Sequence, residues 1–335
     1  MRPTTGRGSS RGAPASGAPA LASGAPKTAS GAPATAQPWY RAPDRRALDW
    51  VAAQAGPGWR AAGSRRLRGG VAAAVDAVSL DGPDGTAARL VLKRWLRPGW
   101  QEEGPELTPA REAAVLAALV TTPVPAPAPV AVDPDGEAVG APALLMAHLD
   151  GRRPSLADEV RPARVAAIAE ALVRIHAVGG AARDAVGPFR PYLEHARLRV
   201  PAAARDRDLW RSAIERTAAE PGSNAGACFL HRDYHPANTI WRGSRLAGVV
   251  DWGSAALGPA AVDLAHWRAN LGTRHGIDAA DRVLAAYAAA GGAVPADQAW
   301  WDVRILLDFL DDPDALVGPA LDRAEGYLVA LLARA

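Results

Sequence analysis

Asp233, Asn238 and Asp251 are the polar residues of this chain whose types and spacing suit catalysis. They supply two carboxylates and one amide, and oxygen donors of this kind, completed by phosphate and water, are the ligands that Mg²⁺ prefers. Asn238 and Asp251 are therefore expected to bind the metal. Asp233 is left to accept a proton from an attacking hydroxyl or to orient that hydroxyl.

Two short strands must bring these residues together. The apolar runs Thr239–Trp241 and Leu246–Val250 are typical of strands, and Gly243 and Ser244 between them are turn residues. In an antiparallel hairpin the start of the first strand and the end of the second lie at the same end. The loop before the hairpin is therefore expected to lie beside Asp251, which directly follows it.

The spacing His-x-Asp-x-x-x-x-Asn, followed by a second Asp at the end of a hairpin, matches the catalytic loop and the metal-binding Asp of kinases. A purely structural alternative is that Asp233 and Asn238 cap a turn and Asp251 ends a strand. A single such Asp would favour that alternative, whereas three residues at these offsets favour function.

A glycine pair, Gly69-Gly70, lies within residues 67–71, and this segment followed by residues 72–80 is interpreted as strand, glycine turn and strand. Paired glycines let backbone amides approach phosphate oxygens closely, as in nucleotide-binding turns. The same pair is equally compatible with an ordinary hairpin turn, and the fuller Gly-x-Gly-x-x-Gly pattern is absent.

Lys93 ends a third apolar strand, Ala88–Lys93, where a buried ammonium needs an anionic partner and an unpaired one must reach solvent. Thr108 and the proline after it predict the start of a helix, with Glu112 in its first turn. A Lys on the third strand and a Glu on the next helix are paired in kinases, where the Lys contacts the nucleotide phosphates. Glu112 is the candidate partner, and its rivals are Glu102, Glu103 and Glu106.

The apolar run Ala143–Leu149 is interpreted as a strand that ends at Asp150 and Gly151, which indicates a hinge between two lobes. Its backbone is a candidate for binding the edge of an adenine. His176, beside a helical apolar stripe, is interpreted as a structural histidine, and Asp263 is expected to cap a helix or to hold the catalytic loop by hydrogen bonds. The stripe consists of Val165, Ile168, Leu172 and Ile175.

The composition is that of a globular protein of 335 residues, with 49% hydrophobic and 22% charged residues, and the length suffices for two lobes. No apolar run reaches the roughly 18 residues that a membrane span needs, so we expect a cytoplasmic protein with no membrane partner. The single cysteine, Cys228, excludes an internal disulfide and is interpreted as a small buried apolar residue.

Residues 1–38 are predicted to be a disordered tail, because Ala-Ser-Gly-Ala-Pro recurs in it with a period of seven residues. The tail has no apolar region of a secretory signal, and a linker or an upstream extension is favoured over a transit peptide. The formal net charge of the whole chain is +3, and the tail contributes four basic residues and no acid. The rest of the chain therefore has a net charge of −1, so no nucleic-acid partner is expected. From Gly291 onward acids outnumber bases, which either attracts a cationic substrate or forms a solvated helical face.

The chain resembles the aminoglycoside phosphotransferase family, the small-molecule branch of the protein-kinase-like fold. The resemblance extends over about residues 60–335. It rests on the segments His231–Asn238, Val249–Gly253 and Asp263–Ala265, with looser support from Leu90–Lys93 and Arg111-Glu112. The roles that it implies are these: Asp233 is the catalytic carboxylate, Asn238 and Asp251 bind Mg²⁺, Lys93 contacts the ATP phosphates, Glu112 pairs with Lys93, and Gly69-Gly70 belongs to the nucleotide loop.

The fold that the resemblance implies is a two-lobed α+β fold. Residues 39–150 would form a small nucleotide-binding N-lobe with an antiparallel sheet and one helix, and residues 151–335 a larger, mostly helical C-lobe for catalysis and substrate binding. Two departures stand out. Arg232 occupies the place between the His and the Asp where the family usually has glycine, and Trp252 replaces the Phe of the protein-kinase Asp-Phe-Gly.

The predicted activity is an ATP- and Mg²⁺-dependent transfer of the γ-phosphoryl group to a hydroxyl of a small molecule. The acceptor classes considered are aminoglycoside-like compounds, which would be cationic, amino alcohols, sugars and macrolides. One alternative is a catalytically silent kinase-like protein that binds a nucleotide or metabolite. A protein kinase is disfavoured, because no Ala-Pro-Glu follows Asp251 and little room exists for an activation loop.

Overall fold

The computed structural model describes residues 38–67, 73–100, 107–219, 221, 226–308 and 316–334. In this part of the chain an antiparallel sheet with two helices precedes a mostly helical region, which gives the two-lobed α+β fold that the resemblance implied. The predicted disordered tail lies outside the described residues except for Pro38.

The first lobe is built on a five-stranded sheet with the order β1-β2-β3-β5-β4, in which every neighbouring pair is antiparallel. The central strand is therefore β3, the strand that carries Lys93. The strands are β1 Arg60–Arg66, β2 Ala74–Asp81, β3 Ala87–Arg94, β4 Pro129–Asp133 and β5 Ala143–Ala147.

A helix that the sequence patterns did not reveal, α1 (Arg45–Ala55), packs on this sheet. It begins after Asp44, whose side chain accepts a hydrogen bond from the amide of Ala47 at 2.9 Å. The fully buried Val51 joins the apolar cluster of α1 and the sheet. The first lobe thus has two helices in the described residues, where the resemblance implied one.

The second helix, α2 (Pro109–Leu119), begins where the sequence predicted. The Thr108 hydroxyl accepts a hydrogen bond from the amide of Arg111 at 3.2 Å, and the proline occupies the first turn, where a missing N–H costs nothing. Glu112 therefore lies in the first turn of α2 and is buried.

Gly151 marks the passage from the first lobe to the second. Its φ of 149° lies in the region that glycine adopts readily, and a Cβ atom there would lie 2.5 Å from the carbonyl oxygen of Trp241. The next residue pairs with Trp241 as in a small antiparallel bridge: Arg152 donates its amide to Trp241 at 3.0 Å and accepts the Trp241 amide at 2.9 Å.

The second lobe is mostly helical, and α7 runs through its centre with every residue from Ala261 to Thr273 buried. The predicted stripe is confirmed, because its residues are buried on α4. No helix of the described ranges combines the length and the apolarity that crossing a bilayer requires. The helices are α3 Leu156–Glu159, α4 Pro162–His176, α5 Ala181–Asp184, α6 Arg207–Arg216, α7 Ala261–His275, α8 Ile277–Ala289, α9 Gln298–Asp308 and α10 Gly318–Leu332.

Two small antiparallel sheets of the second lobe hold the segment with the candidate catalytic residues. One pairs β6 (Cys228–Leu230) with β9 (Ala256–Gly258), and the other is the hairpin of β7 (Thr239–Arg242) and β8 (Arg245–Val249). The hairpin prediction is confirmed, with strand ends that differ from the predicted ones by one residue.

Gly151→Ala is expected to lower the free energy of unfolding by about 1–3 kcal/mol. The substitution places a Cβ at a strained φ and against the Trp241 carbonyl. Urea unfolding followed by circular dichroism measures the change. The matched control is Gly63→Ala, whose Cβ would meet nothing within 4 Å, and its effect is expected to stay within about 0.5 kcal/mol. Equal stabilities of Gly151→Ala and the unmodified protein would contradict the prediction.

Candidate active site

The loop from His231 to Asn238 joins β6 to β7, and its end lies beside the end of β8. The amide of Val250 donates to the Asn238 carbonyl at 2.9 Å, so that Asp251 emerges next to Asn238. Asp233 and Asp251 line the same cavity. The hairpin therefore brings the three predicted residues together, as their spacing indicated.

The Asp233 carboxylate is held on one side only. Its Oδ2 accepts a hydrogen bond from Asn238 Nδ2 at 3.0 Å, and the same Nδ2 donates to the Asp233 carbonyl, also at 3.0 Å. Its Oδ1 accepts no hydrogen bond from any described residue, although His235 Nε2 lies 3.5 Å away. One oxygen is thus fixed by Asn238, while the other has no hydrogen-bond donor within the described protein.

His231 ties this loop to the end of the hairpin. Its Nε2 donates to the Val250 carbonyl at 3.0 Å, and its Nδ1 accepts the amide of Asp233 at 3.2 Å, an assignment of the ring proton that follows from the partners. Burial lowers the pKa of His231, so the neutral ring with its proton on Nε2 is favoured. The ring centroid lies 4.5 Å from that of Trp252.

Asp263, in the first turn of α7, holds the backbone of the loop. Its Oδ1 accepts the amide of Arg232 at 2.6 Å, and its Oδ2 accepts the amide of His231 at 2.9 Å. Burial opposes the ionised form, but interactions with His176 and His231, the His176 hydrogen bond first among them, outweigh burial and hold the pKa of Asp263 below its ordinary value. An ionised carboxylate therefore receives both amides, in agreement with the hydrogen-bonding role predicted for Asp263.

Lys93 connects the two lobes at the other side of the cavity. Its Nζ lies 2.7 Å from Glu112 Oε2 on α2 and 2.7 Å from Asp251 Oδ1 after the hairpin. Glu112 is therefore the partner that the sequence proposed, while its rivals Glu102, Glu103 and Glu106 lie outside the described residues. A Cβ on Gly253 would come within 3.3 Å of Glu112 Oε2, so the small residue allows the helix to approach.

Charge and burial act in opposite directions on the pKa values of Lys93 and its two carboxylate partners. Desolvation favours a neutral amine, but Asp251 and Glu112 outweigh it and raise the pKa of Lys93. The lysine in turn lowers the pKa of Asp251 to about 2 against the opposing effect of burial. Burial raises the pKa of Glu112 despite Lys93, and the neighbouring Asp251 carboxylate contributes to that rise. Lys93 thus holds Asp251 in its ionised form.

The donor set beside Asp233 suits a hard cation. Asn238 turns its amide nitrogen toward Asp233, which leaves the amide oxygen to act as a metal donor, and Asp251 is ionised at neutral pH. Among the described residues, no group of three or more His, Cys, Asp or Glu could hold a metal. A metal at Asn238 and Asp251 would therefore take its remaining ligands from phosphate and water, the pattern that Mg²⁺ prefers.

The cavity between the lobes has a volume of about 530 Å³. Apolar side chains from both lobes line it, and so does the backbone around Gly151. Leu67 and Ala73 line it too, whereas Gly69 and Gly70 between them lie outside the described residues. The apolar walls are formed by Val75, Val91, Met146, Leu149, Ile240 and Val250.

A model of the APH phosphotransferase enzyme family matches residues 65–301, more than half of the chain. The chain belongs to this family. It is 31% identical over 144 residues to a homoserine kinase of Beijerinckia indica, a match that covers 39% of this chain and 42% of that kinase. The match therefore spans less than half the length of the curated relative.

Solved structures of phosphotransferases share the fold at low identity. The macrolide 2'-phosphotransferase MphH from Brachybacterium faecium is 21% identical, with a TM-score of 0.53 over 77% of this chain and 86% of that one. An aminoglycoside phosphotransferase APH(4)-Ia in a ternary complex with ADP and hygromycin B is 14% identical, with a TM-score of 0.55 over 82% and 94% of the two chains. At these identities the likeness concerns the fold.

Arg232 departs from the glycine usual in this family, and the backbone shows why glycine suits the place. The φ of Arg232 is 69°, in the left-handed region. The guanidinium lies 4.0 Å from the ring centroid of Tyr192 and 5.5 Å from that of Phe189, and it donates to the carbonyl of Arg190. The side chain thus attaches the catalytic loop to the segment 189–192.

Four arginines around the cavity were not singled out by the sequence reasoning, which named only Lys93 among the basic residues there. Two adjacent pairs of arginines, one before the glycine pair and one after Gly151, were the available signal. Together with Lys93 they outnumber the cavity carboxylates Glu112, Asp233 and Asp251, which suits a polyanionic ligand. The pairs are Arg65-Arg66 and Arg152-Arg153.

The acids of the C-terminal third have partners inside the protein. Asp302 accepts from Arg268 at 2.8 Å, and Asp308 pairs with Arg304 at 2.6 Å, all four being buried. The others with described contacts are Asp297 with Trp301, Asp322 with Arg205, and Glu325 with Trp210. Asp311, Asp312 and Asp314 lie outside the described residues. Each of the five described acids is engaged within the protein and none lines the cavity between the lobes, so they give no support to a cationic acceptor, which stays a prediction.

Arg232→Gly is expected to be more stable than Arg232→Ala by about 1 kcal/mol, because both variants lose the guanidinium contacts and only alanine keeps the cost of a left-handed φ. Chemical denaturation of the two variants measures the difference directly. Equal stabilities, or a more stable alanine variant, would show that the loop does not hold residue 232 at positive φ.

The stability difference between the unmodified protein and Asp251→Asn is expected to depend on pH. The ordinary pKa of 3.8 is lowered to about 2 in the folded protein, so the ion pair with Lys93 stabilises the fold fully above pH 4. This contribution is lost as the pH falls from about 4 to 2, because Asp251 then becomes protonated. Urea unfolding at a series of pH values measures the narrowing gap, with exposed Asp49→Asn as the control. A gap that stays constant from pH 5 to pH 2 would contradict the assignment.

Proposed function

We propose that this protein transfers the γ-phosphoryl group of ATP, in the presence of Mg²⁺, to a hydroxyl of a small molecule in the cytoplasm. The observation that carries the proposal is the convergence of Lys93, Asp233 and Asp251 on one cavity between the lobes, with Asn238 bonded to Asp233. Membership of a phosphotransferase family and the basic residues around the cavity support it.

In this proposal Asp233 receives the acceptor hydroxyl. The hydroxyl oxygen forms a bond to the γ-phosphorus while the bond from that phosphorus to the bridging oxygen breaks, and ADP leaves. The hydroxyl proton passes to Asp233, and Oδ1 is the oxygen for it, because no described residue donates a hydrogen bond to that atom. Asn238 orients the carboxylate through Oδ2.

The other site residues would serve the donor nucleotide. Asn238 and Asp251 would hold Mg²⁺, which neutralises charge on the phosphates when bound. Lys93 would contact the phosphates, and Glu112 would hold the lysine in place, as their 2.7 Å separation allows. For the glycine pair at 69–70 a place in the nucleotide loop stays a prediction.

We further propose that the two lobes divide the work. Residues 39–150 would bind the nucleotide, since Lys93, Glu112 and the strand β5 belong to them. Residues 151–335 would carry the catalytic loop and the acceptor site. The sheet and the catalytic hairpin lie on opposite sides of Gly151, which supports a boundary there.

The acceptor class remains the open part of the proposal. The names of similar proteins point to homoserine, macrolides and aminoglycosides as the first compounds to test. A panel of these compounds with ATP and Mg²⁺, read by ADP release and by mass spectrometry of the product, identifies the acceptor. Phosphate on polypeptide would instead indicate a protein kinase.

Asp233→Ala is expected to lower kcat by about 10²–10⁴ with the identified acceptor, because the variant lacks the proton acceptor. Isothermal titration with an ATP analogue is expected to show nearly unchanged nucleotide affinity. Asp49→Ala is the matched control, since Asp49 forms an exposed ion pair with Arg45 and does not line the cavity, and it should retain full turnover. Near-normal turnover of Asp233→Ala would exclude the assigned role. Nucleotide binding with no transfer to any acceptor would favour the silent binding protein.

A further inference from the structure

A chain of hydrogen bonds outside the cavity reaches the loop from His231 to Asn238. It starts at Tyr287 on α8, passes through His176 at the end of α4 and ends at Asp263 on α7. The Tyr287 hydroxyl lies 2.7 Å from His176 Nδ1, and His176 Nε2 lies 3.2 Å from Asp263 Oδ2. Neither Tyr287 nor His176 lines the cavity between the lobes.

The chemistry of the groups sets the direction of this chain. An ionised Asp263 can only accept, so His176 must donate from Nε2. The Tyr287 hydroxyl, 2.7 Å from Nδ1, can donate to that nitrogen or accept from it. Burial raises the pKa of Tyr287, which keeps its proton on the hydroxyl. The tyrosine thereby fixes the orientation of the ring that His176 needs in order to hold Asp263.

The hydrogen-bond chain ends at the backbone of His231 and Arg232, the two residues before Asp233. Asp263 uses Oδ2 for both His176 and the His231 amide, and it uses Oδ1 for the Arg232 amide. Arg232 stands at a φ of 69°, a conformation that a residue other than glycine adopts only when its surroundings impose it. If the carboxylate rotates, both amides lose their alignment and the peptide that precedes Asp233 turns with them.

We infer that His176 and Tyr287 are positioning residues for the proposed phosphoryl transfer, and that they act through Asp263 on the backbone that aims Asp233. This inference rests on the proposed function for its catalytic consequence. The sequence pattern interpreted His176 as structural, and the geometry assigns it the more specific task of fixing the rotation of one carboxylate.

A second cavity gives the inference a sharp test. It has a volume of about 300 Å³, is open to solvent, and is lined by His176 and Tyr287 together with small residues such as Ala260. In His176→Ala the missing ring leaves a space that adjoins this cavity. Free imidazole can therefore reach the place of the lost side chain and donate to Asp263.

Steady-state kinetics and hydrogen exchange of the loop peptide 228–238 form the experiment. His176→Ala is expected to lower kcat by about 10- to 100-fold, because small errors in the position of a reacting group are costly. Tyr287→Phe removes only one hydroxyl and is expected to lower kcat by about 3- to 10-fold. The KM for ATP should stay within about twofold in both, since the cavity residues are untouched. Added imidazole should restore much of the kcat of His176→Ala and leave Tyr287→Phe unchanged.

His195→Ala is the matched control. His195 is also a partly buried histidine with one hydrogen bond, from Nε2 to the Ile214 carbonyl at 2.9 Å, but it has no contact with Asp263. Loss of this histidine is expected to lower stability without changing kcat or the exchange of the loop amides. If all three variants lose kcat in proportion to their loss of stability, the role of His176 is general stabilisation and the inference is wrong.

The exchange measurement separates this inference from the proposed function. Amides of the 228–238 peptide are expected to exchange faster in His176→Ala and Tyr287→Phe than in the unmodified protein, whether or not an acceptor has been found. Unchanged loop exchange in both variants overturns the inference even if transferase activity is present. Absence of any transfer by the unmodified protein overturns the proposed function, and the loop exchange then decides the inference alone. A normal kcat in both variants also overturns it.

Discussion

The carboxylate of Asp263 is the group on which the geometry of the catalytic loop depends. The loop is held by little regular structure, since β6 and β9 pair over only three residues. Asp263 compensates for this. It lies on α7, a deeply buried helix of the second lobe, and accepts hydrogen bonds from two consecutive backbone amides of the loop. A buried carboxylate with fixed donors is costly to disturb, because its charge would be left without partners. These two hydrogen bonds hold the backbone on both sides of the peptide that enters the left-handed residue Arg232, directly before Asp233.

A second set of charges acts across the lobes and has a different character. Lys93 forms ion pairs of equal length, 2.7 Å, with Glu112 and with Asp251. Burial raises the pKa of Glu112, whereas Lys93 lowers the pKa of Asp251 to about 2, so Asp251 stays ionised at neutral pH. A nucleotide and its metal would therefore meet a carboxylate already in the protonation state that metal binding requires. The contacts of Asp263 thus set the geometry of the loop, and the contacts of Lys93 set the charge of Asp251.

Local sequence patterns were enough to predict the hairpin, the start of α2 at Thr108 and the buried stripe of α4, because each signal lies within a few turns or one strand pair. The first strand was placed too late, because Arg60–Arg66 is a partly exposed edge strand of small and basic residues with no apolar alternation. The left-handed φ of Arg232 could not be predicted, because an arginine in the sequence gives no signal of positive φ, as a glycine would. The pairing of Asp302 with Arg268 joins distant parts of the chain, so the acids of the C-terminal third could not be distinguished from a solvated face.

The close contact at Gly151 also joins the chain between the lobes to the hairpin that precedes Asp251. Trp241 belongs to that hairpin, and its two hydrogen bonds to Arg152 attach the hairpin to the chain just after Gly151. Lys93 and Asp251 belong to different lobes, so their ion pair is a second link across the cavity. The Lys93 side chain is only 12% exposed, and salt screens a partly buried pair much less than an exposed one. This second link therefore persists as ionic strength rises.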